Sequence, residues 1–173
     1  LLPEFRGPHP LFWTFRQGQT ETGITIYYLD ENMNTGPIAL QSPVTLPNGV
    51  AGPDAGAMLG EIGGRLLVNA LHQLATGVLP LHPQLPGGFH HPAPQSPDFT
   101  FSRGWSAQRA FNFIRGTAEW KRPYAIIIKG QVIYLESALF CKPDMTLSQP
   151  VIWRGSDILL QMTPGMLRVR LAT

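Results

Sequence analysis

Along the first 78 residues the spacing of apolar positions changes repeatedly, and each change predicts a different element. Between His9 and Gly18, Leu11, Phe12 and Phe15 fall on one face of a short helix, and Gly18 suits the C-terminal end. β-Branched and aromatic residues from Ile24 to Leu29 predict a strand, and Asp30 opens the loop behind it. The stretch PIALQSPVTL, residues 37–46, reads as a second, more broken strand. From Gly52 onward the period becomes helical, with Met58, Leu59, Ile62, Leu66, Ala70 and Leu74 as the apolar face, Pro53 at N1 and Gly77 as the stop. Glycines 56, 60, 63 and 64 each cost this helix about 1 kcal/mol relative to alanine, and close packing against a sheet is one reason to tolerate them.

Residues 79–97 show neither period. Pro/Gly-rich and without charge, they predict a semi-rigid spacer laid along a surface, dividing a first region (1–78) from a second (98–173). In the second region Ser106 caps a helix whose buried stripe is Ala110, Phe111 and Ile114 and which Gly116 stops. Four apolar or alternating segments follow, YAIIIKG, QVIYLESALF, DILLQM and MLRVRLAT, with turn signals at Lys129-Gly130 and Pro164-Gly165. Short strands joined this way predict a small β-barrel.

Composition narrows the class. Of 173 residues 43% are hydrophobic and 14% charged, which suits a chain that buries a core. The lone Cys141 excludes an internal disulfide and fits a reducing compartment, with the cytoplasm as the default location. No run approaches eighteen apolar residues and the N-terminus lacks a basic-then-apolar leader, so neither a membrane span nor a signal peptide is expected. Charge is divided: residues 1–78 carry three Lys/Arg against six Asp/Glu, whereas 79–173 carry ten against five. A polyanionic partner for the second region and a plain solvated surface both fit that imbalance.

Several side chains invite a chemical reading. His82, His90 and His91 lack the spacing or cysteine partners of a metal site, so no metal is expected. His9 and His72 are isolated. The segment WKRPY (120–124) and Arg168 with Arg170, which alternation places on one face of a strand, combine cations and aromatics in the manner of phosphate contact and base stacking; an ordinary polar strand face has the same pattern. Trp105, Trp120 and Trp153 are read as core or hinge packing rather than a ligand cage.

The order of motifs carries a resemblance. LLPEFRGPHPLFW, then ETGITIYYLDENMNTGPIALQ, then the long helix ending LATG, resemble the second half of the catalytic domain of folate-dependent formyltransferases. RAFNFIRGTAEWKRPYAIIIKGQVIYLESALF is similar to the C-terminal domain of the methionyl-tRNA formyltransferase type and of its relatives acting on amino sugars. The implied fold is α/β: the C-terminal half of a formyltransferase-type Rossmann-like domain at 1–78, a linker at 79–97, and an OB-like β-barrel at 98–173.

The resemblance implies transfer of a formyl group from 10-formyltetrahydrofolate to a primary amine, on methionyl-tRNA or a nucleotide sugar. Such a reaction needs donors for the developing oxyanion and a group that handles protons near neutral pH. By resemblance Asn34 occupies the position of the family's catalytic Asp, in an Asp-Thr-Gly turn of which Thr35 and Gly36 remain. An amide there keeps the shape but loses the negative charge and the capacity to accept a proton. The loop of Leu29, Asp30, Glu31, Asn32 and Met33 falls where family backbone groups receive the pterin; Arg6, Gly7, Thr35 and Gly36 fall on the substrate side. The family's oxyanion-binding Asn and His precede the Leu-Leu-Pro turn, here Leu1-Leu2-Pro3. The expectation is therefore a partial site, completed by a longer polypeptide or by an oligomer. An impaired or incomplete transferase and a non-catalytic binding or assembly module both fit.

Overall fold

The computed structural model describes residues 1–85 and 87–172. They fall into two compact units, one of Leu1–Pro47 with Pro53–Ala93 and one of Asn48–Gly52 with Pro94–Thr173. Residues 79–93, the larger part of the segment read as a spacer, thus group with the first unit.

In the first unit α1 (Pro10–Gln17) has its proline in the first turn, where a missing N–H is harmless, and ends at Gly18 in the left-handed conformation. Phe12, Thr14 and Phe15 are buried, and the Thr14 hydroxyl donates to the Pro10 carbonyl at 3.0 Å. Strands β1 (Glu21–Tyr27) and β2 (Ile38–Thr45) pair antiparallel, with a register irregularity between Ile26 and Tyr27. Pro43 is tolerated in β2 because each strand of a two-stranded sheet keeps one unpaired edge. Helix α2 (Gly52–Ala75) is as long as its period predicts. Met58, Leu59, Ile62 and Leu66 are half-buried and Ala70 is buried, but Leu74, expected on that face, is exposed. Of its internal glycines only Gly63 has a close neighbour, the Ile24 side chain at 3.6 Å; space is open beside Gly56, Gly60 and Gly64. Close packing therefore accounts for one of the four.

The second unit contains β3 (Thr100–Phe101), α3 (Ala107–Gly116), β4 (Tyr124–Ile128), β5 (Gln131–Lys142), β6 (Val151–Arg154), β7 (Asp157–Gln161) and β8 (Met166–Leu171). The Ser106 hydroxyl accepts from the Arg109 N–H at 3.2 Å and caps α3 as its sequence predicts. The strands form one sheet in the order β3-β4-β5-β8-β7-β6, antiparallel except for β3 with β4. Lys129 and Gly130 both take positive φ and make the two-residue β4–β5 turn, the geometry that matches the right-handed twist of the strands. Among the described residues no ladder joins β3 to β6, so the expected OB-like barrel is an open six-stranded sheet here.

Alternation decides the core of this unit. Tyr124, Ile126 and Ile128 point inward on β4, while Ile127 between them is 59% exposed. With Phe113 and Ile114 of α3, Leu135 of β5, Ile158 and Leu160 of β7, and Leu167 and Val169 of β8, the inward residues make one apolar core. Each large side chain so buried contributes about 1.5–3 kcal/mol relative to an exposed one. The Tyr124 hydroxyl is satisfied inside it, donating to the Ile114 carbonyl at 3.0 Å and pairing with the Thr117 hydroxyl at 2.8 Å. Burial pushes this phenol up to about 12, against the opposing hydrogen bond from Thr117.

Candidate functional site

A cleft of about 240 Å³ opens in the first unit, with Leu1, Phe5, Leu11 and Ile24 among its apolar lining and Glu4, Tyr27 and Asn34 among its polar lining. Asn34 stands at its edge in the left-handed region, φ 61°, which an asparagine tolerates better than most side chains. Its Oδ1 accepts from the Gly7 N–H at 3.1 Å, and its Nδ2 donates to the Tyr27 hydroxyl at 3.0 Å. The side chain is held on both sides, and its plane is fixed.

The backbone at position 34 is held as firmly. Its carbonyl accepts from Arg6 Nε at 3.1 Å and from Gln84 Nε2 at 3.0 Å. Gln84 Nε2 also donates to the Gly36 carbonyl at 2.7 Å, while its Oε1 accepts from Arg6 Nη2 at 2.7 Å. Arg6 Nη1 donates to the Gly87 carbonyl at 2.7 Å. The guanidinium placed on the substrate side by the sequence thus spends its planar fork tying the turn at 34–36 to Gln84 and Gly87.

Two glycines are required by close approach. A Cβ on Gly36 would overlap the Tyr28 carbonyl oxygen, and one on Gly7, which has φ 123°, would overlap the His91 carbonyl oxygen. Between Tyr28 and Gly36 the loop fastens itself: the Thr35 hydroxyl meets Asp30 Oδ1 at 2.8 Å, and the Asn32 N–H donates to the same carboxylate oxygen at 3.1 Å. Asp30, Glu31 and Asn32 are exposed, and the side chains of Leu29 and Met33 stand in solvent, 86% and 60% exposed. Asn34, Gly7 and Tyr27 are brought together at the cleft, whereas Leu29–Met33 form the loop beside it.

Gln84 and Tyr27 carry part of this geometry, and sequence reading missed both. Tyr27 looks like one more aromatic of a strand. The available signal for Gln84 was an amide between prolines in a charge-free stretch. His91, set aside as a metal ligand, is buried in an aromatic stack: its ring centroid lies 4.7 Å from Trp13 and 5.5 Å from Phe5, and its Nε2 is 3.3 Å from Gln17 Nε2. Loss of solvation, with the neighbouring His90 charge, holds its pKa below the ordinary 6.5, against an opposing pull from Glu4. His82 pairs with Ile38 through the backbone in both directions. In the second unit, Arg168 and Arg170 do share a face, as alternation predicts, but both donate to Asp157, at 2.6 and 3.2 Å for their shortest approaches, and hold its carboxyl below the ordinary aspartate value. Arg122 donates to the Ser96 hydroxyl at 3.0 Å. Trp105 and Trp120 pack against Phe113 and Phe99, in keeping with the packing role expected of them. Trp153, given the same role, is instead 54% exposed. No helix is long and apolar enough to cross a membrane among the described residues.

The formyl transferase family model matches residues 1–50. The methionyl-tRNA formyltransferase of Thermodesulfovibrio yellowstonii is 25% identical over 174 aligned positions, 99% of this chain and 55% of its own length. The N-formyltransferase of Helicobacter canadensis, solved with folinic acid and dTDP-3-aminofucose, shares the fold at TM-score 0.73 with 13% identity, over 98% of this chain and 62% of its own. The formyltransferase PseJ of Anoxybacillus kamchatkensis, solved with tetrahydrofolate and a UDP-linked formamido sugar, is 27% identical at TM-score 0.50, over 54% of this chain and 49% of its own. This chain therefore spans about half to three-fifths of the length of these relatives. Along its length the chain is thus similar to formyltransferases.

Proposed function

We propose that this chain supplies the Asn34 side of a site that transfers a formyl group from 10-formyltetrahydrofolate to a primary amine, borne by methionyl-tRNA or by a nucleotide-linked amino sugar. The observation that supports this reading is the fixation of Asn34 by Gly7 and Tyr27 at the edge of an apolar cleft; the motif resemblance assigns position 34 to the family's carboxylate.

The residues present suit such a donor: an apolar wall from Leu1, Phe5 and Ile24 stands beside a loop, Leu29–Met33, whose side chains are turned to solvent. When bound, the donor brings the electrophilic formyl carbonyl. Asn34 can accept a hydrogen bond through Oδ1 and donate one through Nδ2, so it can orient a neighbouring group. It cannot take a proton from the attacking amine, and proton removal must fall to another base or to water. Arg6, Gln84, Thr35 and Gly36 act as positioning residues that fix the turn carrying Asn34.

The environment of Asn34 accommodates the family's residue. In Asn34→Asp, Oδ1 would keep the Gly7 N–H, and the Tyr27 hydroxyl, which now accepts, could rotate to donate to Oδ2. Two donors would then favour the charged form. The test uses a longer polypeptide in which a relative's upstream half precedes Leu1. With 10-formyltetrahydrofolate and methionyl-tRNA or a dTDP-linked amino sugar, Asn34→Asp is expected to raise the transfer rate by about 10²–10⁴, the usual worth of a positioned acid/base group. No gain from the carboxylate would show that position 34 does not limit the reaction. Failure of that polypeptide to bind tetrahydrofolate would sink the transferase reading and leave the second one, a binding or assembly module, which the amide at 34 favours.

A further inference from the structure

The cleft bordered by Asn34 has one ionisable side chain in its lining besides the Tyr27 phenol, and that is Glu4. The Tyr27 hydroxyl is already engaged by Asn34 Nδ2. Glu4 is exposed, and its carboxylate joins no hydrogen bond or ion pair among the described residues. The backbone around it, by contrast, is held from both directions. Before Glu4, the Leu2 carbonyl accepts from Gln41 Nε2 at 2.7 Å, and a Cβ on Gly88 would overlap the Pro3 carbonyl oxygen. After it, the Arg6 carbonyl accepts from the His91 N–H at 2.8 Å, and the Gly7 N–H donates to Asn34 Oδ1 at 3.1 Å. Between them Phe5 takes φ 54°, a left-handed conformation that so bulky a residue keeps only where its surroundings impose it. Through Gly7, the turn that carries Glu4 is thus tied to the turn that carries Asn34.

We infer that Glu4 is the base of this site and takes from the attacking amine the proton that Asn34 cannot accept. This rests on the formyl-transfer reading and names the group that the reading leaves open. As the amine nitrogen bonds to the formyl carbon, one of its protons passes to a Glu4 carboxylate oxygen. The bond between that carbon and the folate nitrogen then breaks with its electron pair on the nitrogen, which receives the proton back from Glu4. The products are a formamide and tetrahydrofolate, and the carboxylate is regenerated. Two features suit Glu4 to this role. It carries the negative charge that the amide at position 34 lacks, on the same cleft. It is also unpartnered, so no internal hydrogen bond or ion pair has to break before it accepts a proton.

The test uses the polypeptide in which a relative's upstream half precedes Leu1, and it measures tetrahydrofolate binding and formyl transfer separately. Glu4→Gln is expected to leave tetrahydrofolate affinity unchanged and to lower kcat roughly tenfold. That is less than the about 10²–10⁴ of a fully positioned group, because an exposed side chain keeps its rotamer freedom. Added acetate should restore part of the rate in Glu4→Gln; absence of rescue makes the role of Glu4 structural and overturns the proposal. In the Asn34→Asp background the same replacement should leave kcat unchanged, since a carboxylate then stands at position 34. An unaltered kcat in Glu4→Gln, or an equal loss with and without the aspartate, overturns the proposal and leaves the transferase reading intact. A polypeptide that binds tetrahydrofolate but transfers no formyl group also overturns it. Failure to bind tetrahydrofolate removes the transferase reading itself, and this proposal with it. Circular dichroism checks folding, and if Glu4→Gln does not fold, Glu4→Ala with acetate decides by the same comparison.

Discussion

In the six-stranded unit, the side chains of Tyr124, Ile126, Leu135, Ile158, Leu160, Leu167 and Val169 are at most 1% exposed. On α2, Leu67, Val68, Leu71 and Leu74 have the same apolar character and are 47–56% exposed. Leu67, Leu71 and Leu74 recur at four- and three-residue steps, so they form a second stripe beside the half-buried face of Met58, Leu59, Ile62 and Leu66. Equal hydrophobicity has thus produced opposite environments. An apolar stripe records what a helix could bury, while the neighbours available to it decide what it does bury.

The largest effect that separates these regions is expected from Phe113→Ala. Phe113 is fully buried and makes edge contacts with Trp105 and Tyr124, at ring centroid distances of 5.7 and 5.5 Å. Its truncation leaves a cavity among β-strands that hold their register, and about 3–5 kcal/mol should be lost. Urea unfolding followed by tryptophan fluorescence measures it. A loss under about 1 kcal/mol, well below the usual cost of such a cavity, would mean that this core is loosely packed and that the contrast with α2 is false.

The first unit is not slack throughout, and Gly36→Ala sharpens the comparison there. The added methyl would meet the Tyr28 backbone oxygen, which belongs to the same turn and cannot swing aside as a side-chain tip could. A cost of roughly 1–3 kcal/mol is expected, together with loss of the Asn34–Gly7 and Asn34–Tyr27 hydrogen bonds. Amide NMR shifts of Gly7 and Asn34 report on both. An unperturbed Gly7 amide would show that the turn adapts more freely than its packing suggests.

These variants also mark what was legible in the sequence. Helices α1, α2 and α3, strands β1, β2, β4, β5, β7 and β8, the Ser106 cap and the Lys129-Gly130 turn follow from local period and turn chemistry, which act over a few residues, whereas the two- and four-residue strands β3 and β6 are too short to show a period. The clamp on Asn34 does not, because Gln84 meets it across fifty positions and Arg6 across twenty-eight. The exposure of Leu74 and Trp153 was equally hidden, since burial depends on what lies opposite. The open sheet was misread as a barrel for a related reason: strand pattern gives alternation, while closure depends on whether β3 and β6 pair.

A smaller effect should appear with pH. The neutral His91 ring is favoured in the folded chain, where its pKa lies below the unfolded value near 6.5. Below that pH the unfolded chain binds more protons. Stability from this group is therefore complete above about pH 6.5 and is lost as pH falls toward the folded value. His91→Phe keeps a ring beside Trp13 and Phe5 but does not titrate. The fall in Tm between about pH 7.5 and about pH 5.5, a window that brackets the unfolded value, should be smaller in that variant than in the parent. Equal falls would remove His91 as a cause.

The smallest effect is expected where the comparison began. Leu71 is 56% exposed, so Leu71→Ala removes little buried area, and alanine's better helix propensity offsets part of that loss. The change in unfolding free energy should lie within about 0.5 kcal/mol, as for surface substitutions away from special features. Leu67→Ala and Leu74→Ala should behave alike, and the triple variant should depart from the sum by only about 0.2–0.5 kcal/mol for each i,i+3 or i,i+4 pair among the three. A measured loss near roughly 2 kcal/mol, the scale of burying a whole leucine, would instead mean that the stripe is covered in solution. Dilution then identifies the cover: a loss that disappears at low protein concentration points to a second copy of the chain, and one that persists points to packing within the chain itself.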